Sequence, residues 1–217
     1  MFFYIRKETN KILSFFSSPQ HIYFQINVGV GSRKWVSEEL EGNEVKTPLC
    51  NFCLKSGMLC PKCEEKVRAG EITELDIKIA KLLLGLEEKF PVLQDIYLHR
   101  AVETGNIITL LLNRNDVSRI LSQGGKILRA IGDETGKKVR ILEYKGDLRK
   151  FLEDIFAPAS IVTINTIWLP DGSTETRVIL SERDLKRLPA SVETLKELAR
   201  KIRDVTLRIE SETARAR

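Results

Sequence analysis

The apolar positions of the chain recur in two periods, one typical of helices and one typical of strands. Leu75, Ile79 and Leu86 share one helical face, and Pro91 ends that run. Ile107 to Leu112 is a continuous apolar run, which is typical of a buried strand. In order, the pattern predicts a helix from Thr73 to Phe90, strands at 95–103 and 107–112 around a turn at 104–106, a helix, the tetrapeptide at 122–125, a second helix, and a strand ending near residue 142.

The same order of elements begins again about 68 residues further along the chain. This offset places Asp116 over Asp184, and Ile127 over Leu195. We therefore expect two copies of one unit, each with helices and a small sheet. The predicted elements of the second copy are a helix at 147–156, strands at 160–168 and 176–180 around the turn Pro170-Asp171-Gly172, helices at 181–188 and 192–203, and a strand at 205–209.

The tetrapeptide Ser122-Gln123-Gly124-Gly125 lies between the two helices of the first copy. The first N–H groups of a helix have no intrahelical partner, and the helix dipole favours a negative charge there. Arg119 precedes the tetrapeptide, while Lys126 and Arg129 follow it on one helical face. This arrangement predicts a corner that holds a phosphate, although two glycines between helices are also typical of a simple turn.

The corresponding corner of the second copy lacks this chemistry. At the offset of about 68 residues, Ala190-Ser191-Val192-Glu193 replaces the glycine-containing tetrapeptide. No glycine remains, and the carboxylate of Glu193 stands where a phosphate would bind. We expect the second copy to keep the fold and to lose the phosphate site.

The charge of the chain is concentrated in the first copy. Its 217 residues carry a formal net charge of +5, with a sequence pI near 9.0. The window 113–150 holds ten Lys and Arg residues against five Asp and Glu residues, which is a surplus of the same size. An anionic partner is therefore favoured over a cationic one.

The chain shows no sequence sign of a membrane or of export. No apolar run approaches the ~18 residues of a membrane helix, and Arg6, Lys7 and Glu8 interrupt the apolar start before a signal-peptide core forms. We expect a cytoplasmic protein without membrane contact. Residues 1–45 form an extension of unknown role, whose composition allows a hairpin or an extended tail.

Four cysteines form two Cys-x2-Cys pairs, Cys50 with Cys53 and Cys60 with Cys63. This spacing lets each pair bind one side of a tetrahedral Zn²⁺. A site made only of cysteines leaves no position for a metal-bound water, so we predict one structural zinc ion in a compact loop. Two disulfides or a redox-active dithiol are the alternatives.

The order helix, strand, strand, helix, glycine corner, helix and strand resembles the KH domain of bacterial type, also called type II. Ser122-Gln123-Gly124-Gly125 is similar to its GXXG loop, which clamps the backbone of about four nucleotides. Ser122 replaces the first glycine of that loop. Serine tolerates left-handed dihedral angles less well than glycine, so this exchange favours a weaker grip on phosphate.

Two such units joined through Phe156-Ala157-Pro158-Ala159 resemble the tandem KH region of the NusA family of transcription factors. The cysteine pairs and the stretch from Ile164 to Ser173 resemble archaeal zinc-finger/KH proteins described as NusA-like. The resemblance implies an α+β chain with a four-cysteine zinc knuckle followed by two tandem type II KH domains. The implied boundaries are 1–45 for the extension, 46–70 for the knuckle, 71–145 for the first KH domain and 146–217 for the second, degenerate one.

The function that this resemblance implies is RNA binding, as in a transcription elongation or termination factor. Single-stranded RNA would be the partner, and the RNA bases would lie on Ile120, Ile127 and Ile141. RNA polymerase or the ribosome is a further possible partner. The alternative is a ribosome-associated protein that docks through the knuckle and the second KH unit. Two isolated histidines and the absence of nucleotide-binding motifs predict no enzymatic activity. The predicted RNA-contacting residues are Arg119, Ser122, Gln123, Gly124, Gly125, Lys126 and Arg129.

Overall fold

A computed structural model describes residues 15–18, 21–26, 34–37 and 45–212 of the chain. The chain forms two compact units, Met1–Asn43 and Glu44–Arg217. In the first unit, β1 (Phe15–Ser18), β2 (His21–Ile26) and β3 (Lys34–Ser37) form one antiparallel sheet in that order. The described strands of this extension are paired with one another. The opening residues, which we predict not to be a signal peptide, lie outside the described residues.

The second unit opens with two short helices, α1 (Asn51–Ser56) and α2 (Pro61–Arg68). The first copy of the repeat follows, and its first helix starts where the sequence predicts. Thr73 and Asp76 form a capping box there, in which each side chain bonds the other residue's backbone N–H. The elements of this copy are α3 (Glu74–Leu86), a 3-10 turn at Pro91–Leu93, β4 (Leu98–Thr104), β5 (Ile107–Leu112), α4 (Arg114–Leu121), α5 (Lys126–Thr135) and β6 (Lys138–Glu143).

The second copy has the same order of elements and the same sheet topology. In each sheet the first strand runs antiparallel to the second, and the third runs parallel to the second. The described part of the chain is therefore a mixed α+β protein with an internal repeat. The elements are α6 (Leu148–Phe156), β7 (Ile161–Trp168), β8 (Thr174–Leu180), α7 (Glu182–Leu185), α8 (Val192–Arg203) and β9 (Leu207–Ser211), with strand orders β4-β5-β6 and β7-β8-β9.

Several predicted boundaries are wrong: the first helix ends at Leu86 rather than Phe90, and β9 spans Leu207–Ser211 rather than 205–209. Two others have a local reason. The strand predicted to start at residue 95 starts at Leu98, because Asp95 adopts a left-handed φ of 69° that breaks an extended chain. The helix predicted for 181–188 is only the four residues of α7. Pro189 disfavours helical geometry at Leu188, so the helix ends early.

An aspartate fixes the same junction in both copies. Asp116 lies in the first turn of α4, and its Oδ2 accepts the backbone N–H of Tyr97 at 3.1 Å, just before β4. Asp184 lies in α7, and the backbone of Ser160, just before β7, lowers the pKa of its carboxyl. The offset that places these two residues over each other in sequence therefore corresponds to equivalent positions in the fold.

The two copies share a hydrophobic core. All six residues of β5 are buried, because helices cover both faces of the first sheet. On one face the sheet packs against α3, α4 and α5, together with α1 and α2. On the other face Val102, Leu111 and Leu142 join the core formed by α6, α8 and the second sheet. The two copies thus pack as one body around the first sheet.

Candidate metal and nucleic-acid sites

The four cysteines converge on one point. Cys50 and Cys60 are the N-caps of α1 and α2, and Cys53 and Cys63 lie in the first turns of these helices. Their sulfur atoms all lie within 4.8 Å of one another, with 3.9 Å between the Sγ atoms of Cys50 and Cys60. A tetrahedral ion with bonds of about 2.3 Å separates its sulfur ligands by about 3.8 Å. The cluster therefore fits one four-coordinate metal ion, and two helices replace the predicted compact loop.

Backbone N–H groups support negative charge on these sulfurs. The N–H of Cys60 donates to Cys53 Sγ at 3.0 Å. A bond from the N–H of Cys63 lowers the pKa of the Cys60 thiol to about 7, whereas burial raises that of Cys53 to about 12. Cys53 and Cys63 are buried and Cys50 is exposed. All four are free thiols, so neither of the two disulfides considered as alternatives is present in this cluster.

The glycine corner between α4 and α5 is an exposed turn. Ser122 ends α4 at a right-handed φ of −60°, so serine causes no backbone strain in place of glycine. Gly124 and Gly125 have φ values of 63° and 76°, in the left-handed region where a side chain is strained. Ser122 and Gly124 lie at the surface, and Gln123 and Gly125 are half-buried. The corner is accessible to a ligand.

The start of α5 is open. Gly125 is its N-cap, and no side chain in the described part of the protein caps this helix. The N–H of Lys126 makes only a long bond of 3.4 Å to the carbonyl oxygen of Gln123. The first N–H groups of α5 therefore remain available to an anion.

Three basic side chains flank this open helix start. Lys126 and Arg129 are exposed on α5. Arg119 is exposed on the last turn of α4, and its Nη1 lies 3.8 Å from Oδ1 of Asp116, one turn nearer the start of that helix. The hydroxyl of Ser122 donates to the carbonyl oxygen of Arg119 at 2.7 Å, so it is already used within the turn. The seven predicted contact residues thus lie in the turn or in the helical turns on either side of it.

A groove of about 580 Å³ lies between α5 and β6, and it shares Arg129 with the basic residues that follow the corner. Its apolar lining includes Leu128 and Val139. Two of the three predicted base-contacting residues are wrong, because Ile120 and Ile127 are only 1% and 0% exposed and belong to the core. Sequence reasoning missed the basic residues of the groove, although they contribute to the charge surplus of the window 113–150. The basic lining consists of Arg129, Lys137, Lys138 and Arg140.

Some of these basic groups are held by the protein itself. Arg140 donates to the carbonyl oxygens of Asp154 and Ile155 at 2.7 and 2.9 Å, and burial lowers the pKa of its guanidinium. Lys137 forms an ion pair with Glu103. Arg129 and Lys138 are the exposed basic residues of the groove. Pro189, from the corner of the second copy, also lines this groove.

The corner of the second copy is closed. The hydroxyl of Ser191 accepts the N–H of Thr194 at 3.2 Å and caps α8. Glu193 adds a carboxylate to the first turn. The turn at 104–106 of the first copy also lies against the start of α8, because a Cβ placed on Gly105 would be 3.7 Å from Thr194 Oγ1.

His99 has a structural environment. Its Nε2 lies 2.7 Å from Oδ1 of Asn113, and its ring stacks on that of Tyr144 with 4.0 Å between centroids. Asn113 in turn donates to Asp116. These contacts connect the stacked rings of His99 and Tyr144 to Asp116 in the first turn of α4.

Comparison with known proteins gives a partial match. No protein-family model matches the chain. The chain is 32% identical over 62 residues to the probable transcription termination protein NusA of Methanocaldococcus jannaschii, and 29% identical over 62 residues to that of Methanococcus vannielii. Each match covers 29% of this chain, and about one third of the relative's length, 32% and 34% respectively. Similarity to archaeal NusA is thus shown for part of the chain.

The crystal structure of APE1850 matches 61% of this chain and 96% of its own, with a TM-score of 0.43 and 16% sequence identity. No helix in the described part of the chain combines the length and apolar character needed to cross a membrane.

Proposed function

We propose that this protein is a NusA-like RNA-binding protein that grips single-stranded RNA at the glycine corner of its first copy. The observation that carries the proposal is the uncapped start of α5, which is exposed, follows two left-handed glycines and is flanked by basic side chains. Helix N-termini with free N–H groups bind phosphates. The sequence similarity to archaeal NusA supports the same assignment.

The fold proposed for each copy is the type II KH domain. Both copies have the order helix, strand, strand, helix, helix and strand, and in both the last two strands are parallel neighbours. In the first copy the two-helix corner carries the glycines, which is where a KH domain places its GXXG loop. The second copy is a KH unit whose corner Ser191 and Glu193 close.

The RNA path follows from the corner and the groove. The N–H groups of Gly125 and Lys126 hold phosphates together with the side chains of Arg119, Lys126 and Arg129, and the bases lie along Leu128 and Val139. Phosphate contacts position the strand, and the apolar groove takes base faces without demanding one sequence. Affinity falls as salt rises, because each neutralised phosphate releases counterions.

The metal proposed for the cysteine cluster is one Zn²⁺ with a structural role. Four sulfur donors at tetrahedral spacing are the set that zinc prefers in structural sites. Bound metal would stabilise the thiolates and join α1 to α2. Since Cys53 and Cys63 are part of the first core, the ion would tie these helices to the first copy.

The proposed role is that of a cytoplasmic transcription elongation or termination factor without enzymatic activity, with RNA polymerase as a partner. It rests on the name of the relatives, each called a probable transcription termination protein NusA. Formaldehyde crosslinking in cells, followed by purification of the tagged chain, tests it. Recovery of RNA polymerase supports the role, and recovery of ribosomal subunits alone supports the ribosome-associated alternative.

RNA binding is tested with charge reversals that leave the backbone unstrained. Lys126→Glu combined with Arg129→Glu removes two phosphate contacts, and Lys196→Glu on α8 is the control at an exposed lysine of the second copy. We expect affinity for a fluorescein-labelled oligouridine to fall about tenfold or more in the double variant and less than about twofold in the control. The salt dependence should also decrease by about 1.4 in slope, since each single-strand phosphate contributes about 0.7.

A second variant tests the backbone of the corner itself. Gly124→Asp combined with Gly125→Asp places two carboxylates on the phosphate path. Because both positions have positive φ, circular dichroism and thermal unfolding must first show that this variant is folded. Folded variants that bind RNA like the original protein would remove the corner from the mechanism.

A further inference from the structure

The strand β7 differs from the other outer strands of the two sheets in residues 45–212. Outer strands usually carry charges or proline, which prevent pairing with other chains. β4, β6 and β9 all contain charged residues, including Arg100, Arg140 and Arg208. β7 has eight residues, Ile161–Trp168, with neither a charge nor a proline. Its only protective device is a bulge between Ile161 and Thr163.

The free edge of β7 is exposed and apolar. Within residues 45–212 its only paired neighbour is β8, so its outer N–H and C=O groups have no strand partner there. Trp168 is 77% exposed and Val162 is 49% exposed, which makes this the strand with the largest exposed apolar side chains of the two sheets. Beyond the bulge the strand is regular, and Ile164, Thr166 and Trp168 share one face.

We propose that β7 pairs antiparallel with β7 of a second copy of the protein, which joins two three-stranded sheets into one of six strands. A two-fold axis perpendicular to the sheet keeps the same face of β7 on the same side in both copies. Residues directly opposite each other must therefore both have even numbers or both have odd numbers. The register centred on Thr166 places Thr166 opposite its own copy and Trp168 opposite Ile164. Thr–Thr pairs and aromatic pairs with β-branched residues are favourable across strands.

The charges at the two ends of β7 fit this pairing. The hairpin tip after β7 carries Asp171 and Glu175 and no basic residue. The start of β7 lies next to α7, since the backbone of Ser160 lowers the pKa of the Asp184 carboxyl. Around α7, the exposed basic residues Arg183, Lys186 and Arg187 outnumber the acidic Glu182 and Asp184 by one charge. Antiparallel pairing brings the acidic tip of one copy to the basic end of the other, twice. The neutral centre adds no repulsion between two copies that each carry +5.

The contact is small, so the expected dimer is weak. In this register only residues 164–168 of each β7 face each other, so the contact buries less than the roughly 1,200–2,000 Å² of a standard stable interface. We therefore expect dissociation constants of about 10–100 μM. Such a dimer forms at high local concentration, for instance when two copies bind one RNA strand, but its formation requires no RNA.

A charge-swap experiment on the full chain tests the pairing and its register. Thr166 is exposed, so Thr166→Lys and Thr166→Glu are compatible with the folded monomer. Each variant alone opposes two like charges at the axis, and an equimolar mixture opposes opposite charges. Ala69→Lys, at an exposed position after α2, is the control for an added positive charge. Sedimentation velocity from 5 to 500 μM, without RNA, measures association.

The expected result is a concentration-dependent dimer for the original protein and for Ala69→Lys. Each Thr166 variant alone should dissociate at least tenfold more readily, and the mixture should recover the dimer as a heterodimer. An original protein that remains monomeric at 500 μM, as when another segment of its own chain covers β7, would overturn the proposal. So would Thr166 variants that still dimerise alone, or a mixture that associates no better than its components.

Discussion

The corner between the two helices has opposite chemical surroundings in the two copies of the repeat. In the first copy, α5 starts at a left-handed glycine with no side-chain cap, and its surroundings are basic. In the second copy, Ser191 caps α8, Glu193 adds a carboxylate, and the turn around Gly105 lies against the helix start. The same fold thus supports an open anion site or a closed packing surface, depending on two or three residues.

The closed corner belongs to a helix that holds the two copies together. Leu195 and Leu198 of α8 pack in the core that Val102 of β4 also enters. Lys201 donates to the carbonyl oxygen of Glu103 at 3.0 Å. The second copy therefore uses for assembly the surface that the first copy leaves free. Under the proposed function, the first copy binds RNA and the second copy packs against the first and supports it.

Loss of the proposed metal should affect the first copy far more than the second. Cys53→Ser removes one ligand from a cluster whose buried members pack with Leu54 and Leu83 in the first core. We expect a loss on the order of 5 kcal/mol in the stability of the metal-bound form. Hydrogen exchange should accelerate in α1, α2 and α3 while α8 stays protected. Equal acceleration in both copies would contradict the expected difference between the two faces of the first sheet.

Matched charge changes at the two corners should have unequal effects on RNA binding. Gly125→Asp places a carboxylate at the open helix start, and we expect affinity for oligouridine to fall about thirtyfold, while strain at its left-handed φ costs about 1 kcal/mol of stability. Glu193→Lys, at the equivalent position, should change affinity by less than about twofold. Fluorescence anisotropy measures both. A strong gain of binding in Glu193→Lys would show that the second corner is accessible.

Replacing Asp116 and replacing Asp184 should reduce the free energy of unfolding by different amounts. Asp116 is buried, and its replacement by alanine leaves the donors of Tyr97 and Asn113 without an acceptor, which costs about 2–3 kcal/mol. Asp184 is half-exposed, so Asp184→Ala should cost about 1 kcal/mol. Urea unfolding with fluorescence detection measures both variants. Equal losses would mean that burial does not decide the difference.

Acid should destabilise the second sheet by breaking one ion pair, with a smaller effect on stability than the replacements above. The guanidinium of Arg177 holds the pKa of Glu210 below its usual range, and its Nε lies 2.8 Å from the carboxylate. Because the folded pKa is depressed, this stabilisation is present above the unfolded value of about 4.3 and is lost as pH falls through the folded value. Glu210→Gln should reduce the acid dependence of unfolding by less than about one proton. An unchanged dependence would remove this pair from the account.

Sequence patterns predicted the elements best where periodicity was strong. Ile107–Leu112 and Val192–Arg203 have their predicted limits, and the order of elements in both copies is as predicted. The four cysteines are close together, as their spacing predicts. Helix limits failed where a proline acted on its neighbour, because periodicity does not register that local steric effect.

The candidate site was predicted in part, for a geometric reason. The tetrapeptide and its basic neighbours are contiguous in sequence, so the motif alone locates them. The groove is less contiguous, because Asn106, Ile107 and Pro189 join the lining residues of 128–140 only through the fold. Apolar residues near the motif, such as Ile120 and Ile127, are core residues that sequence alone does not distinguish from groove residues.

The double-sided packing of the first sheet limits how this protein can be dissected. A fragment that ends at Glu143 would present Val102, Leu111 and Leu142 to water on the face that α6 and α8 normally cover. Such a patch promotes aggregation, even though the fragment would retain the glycine corner in full. Minimal fragments for crystallography or NMR should therefore retain both copies, through Ser211.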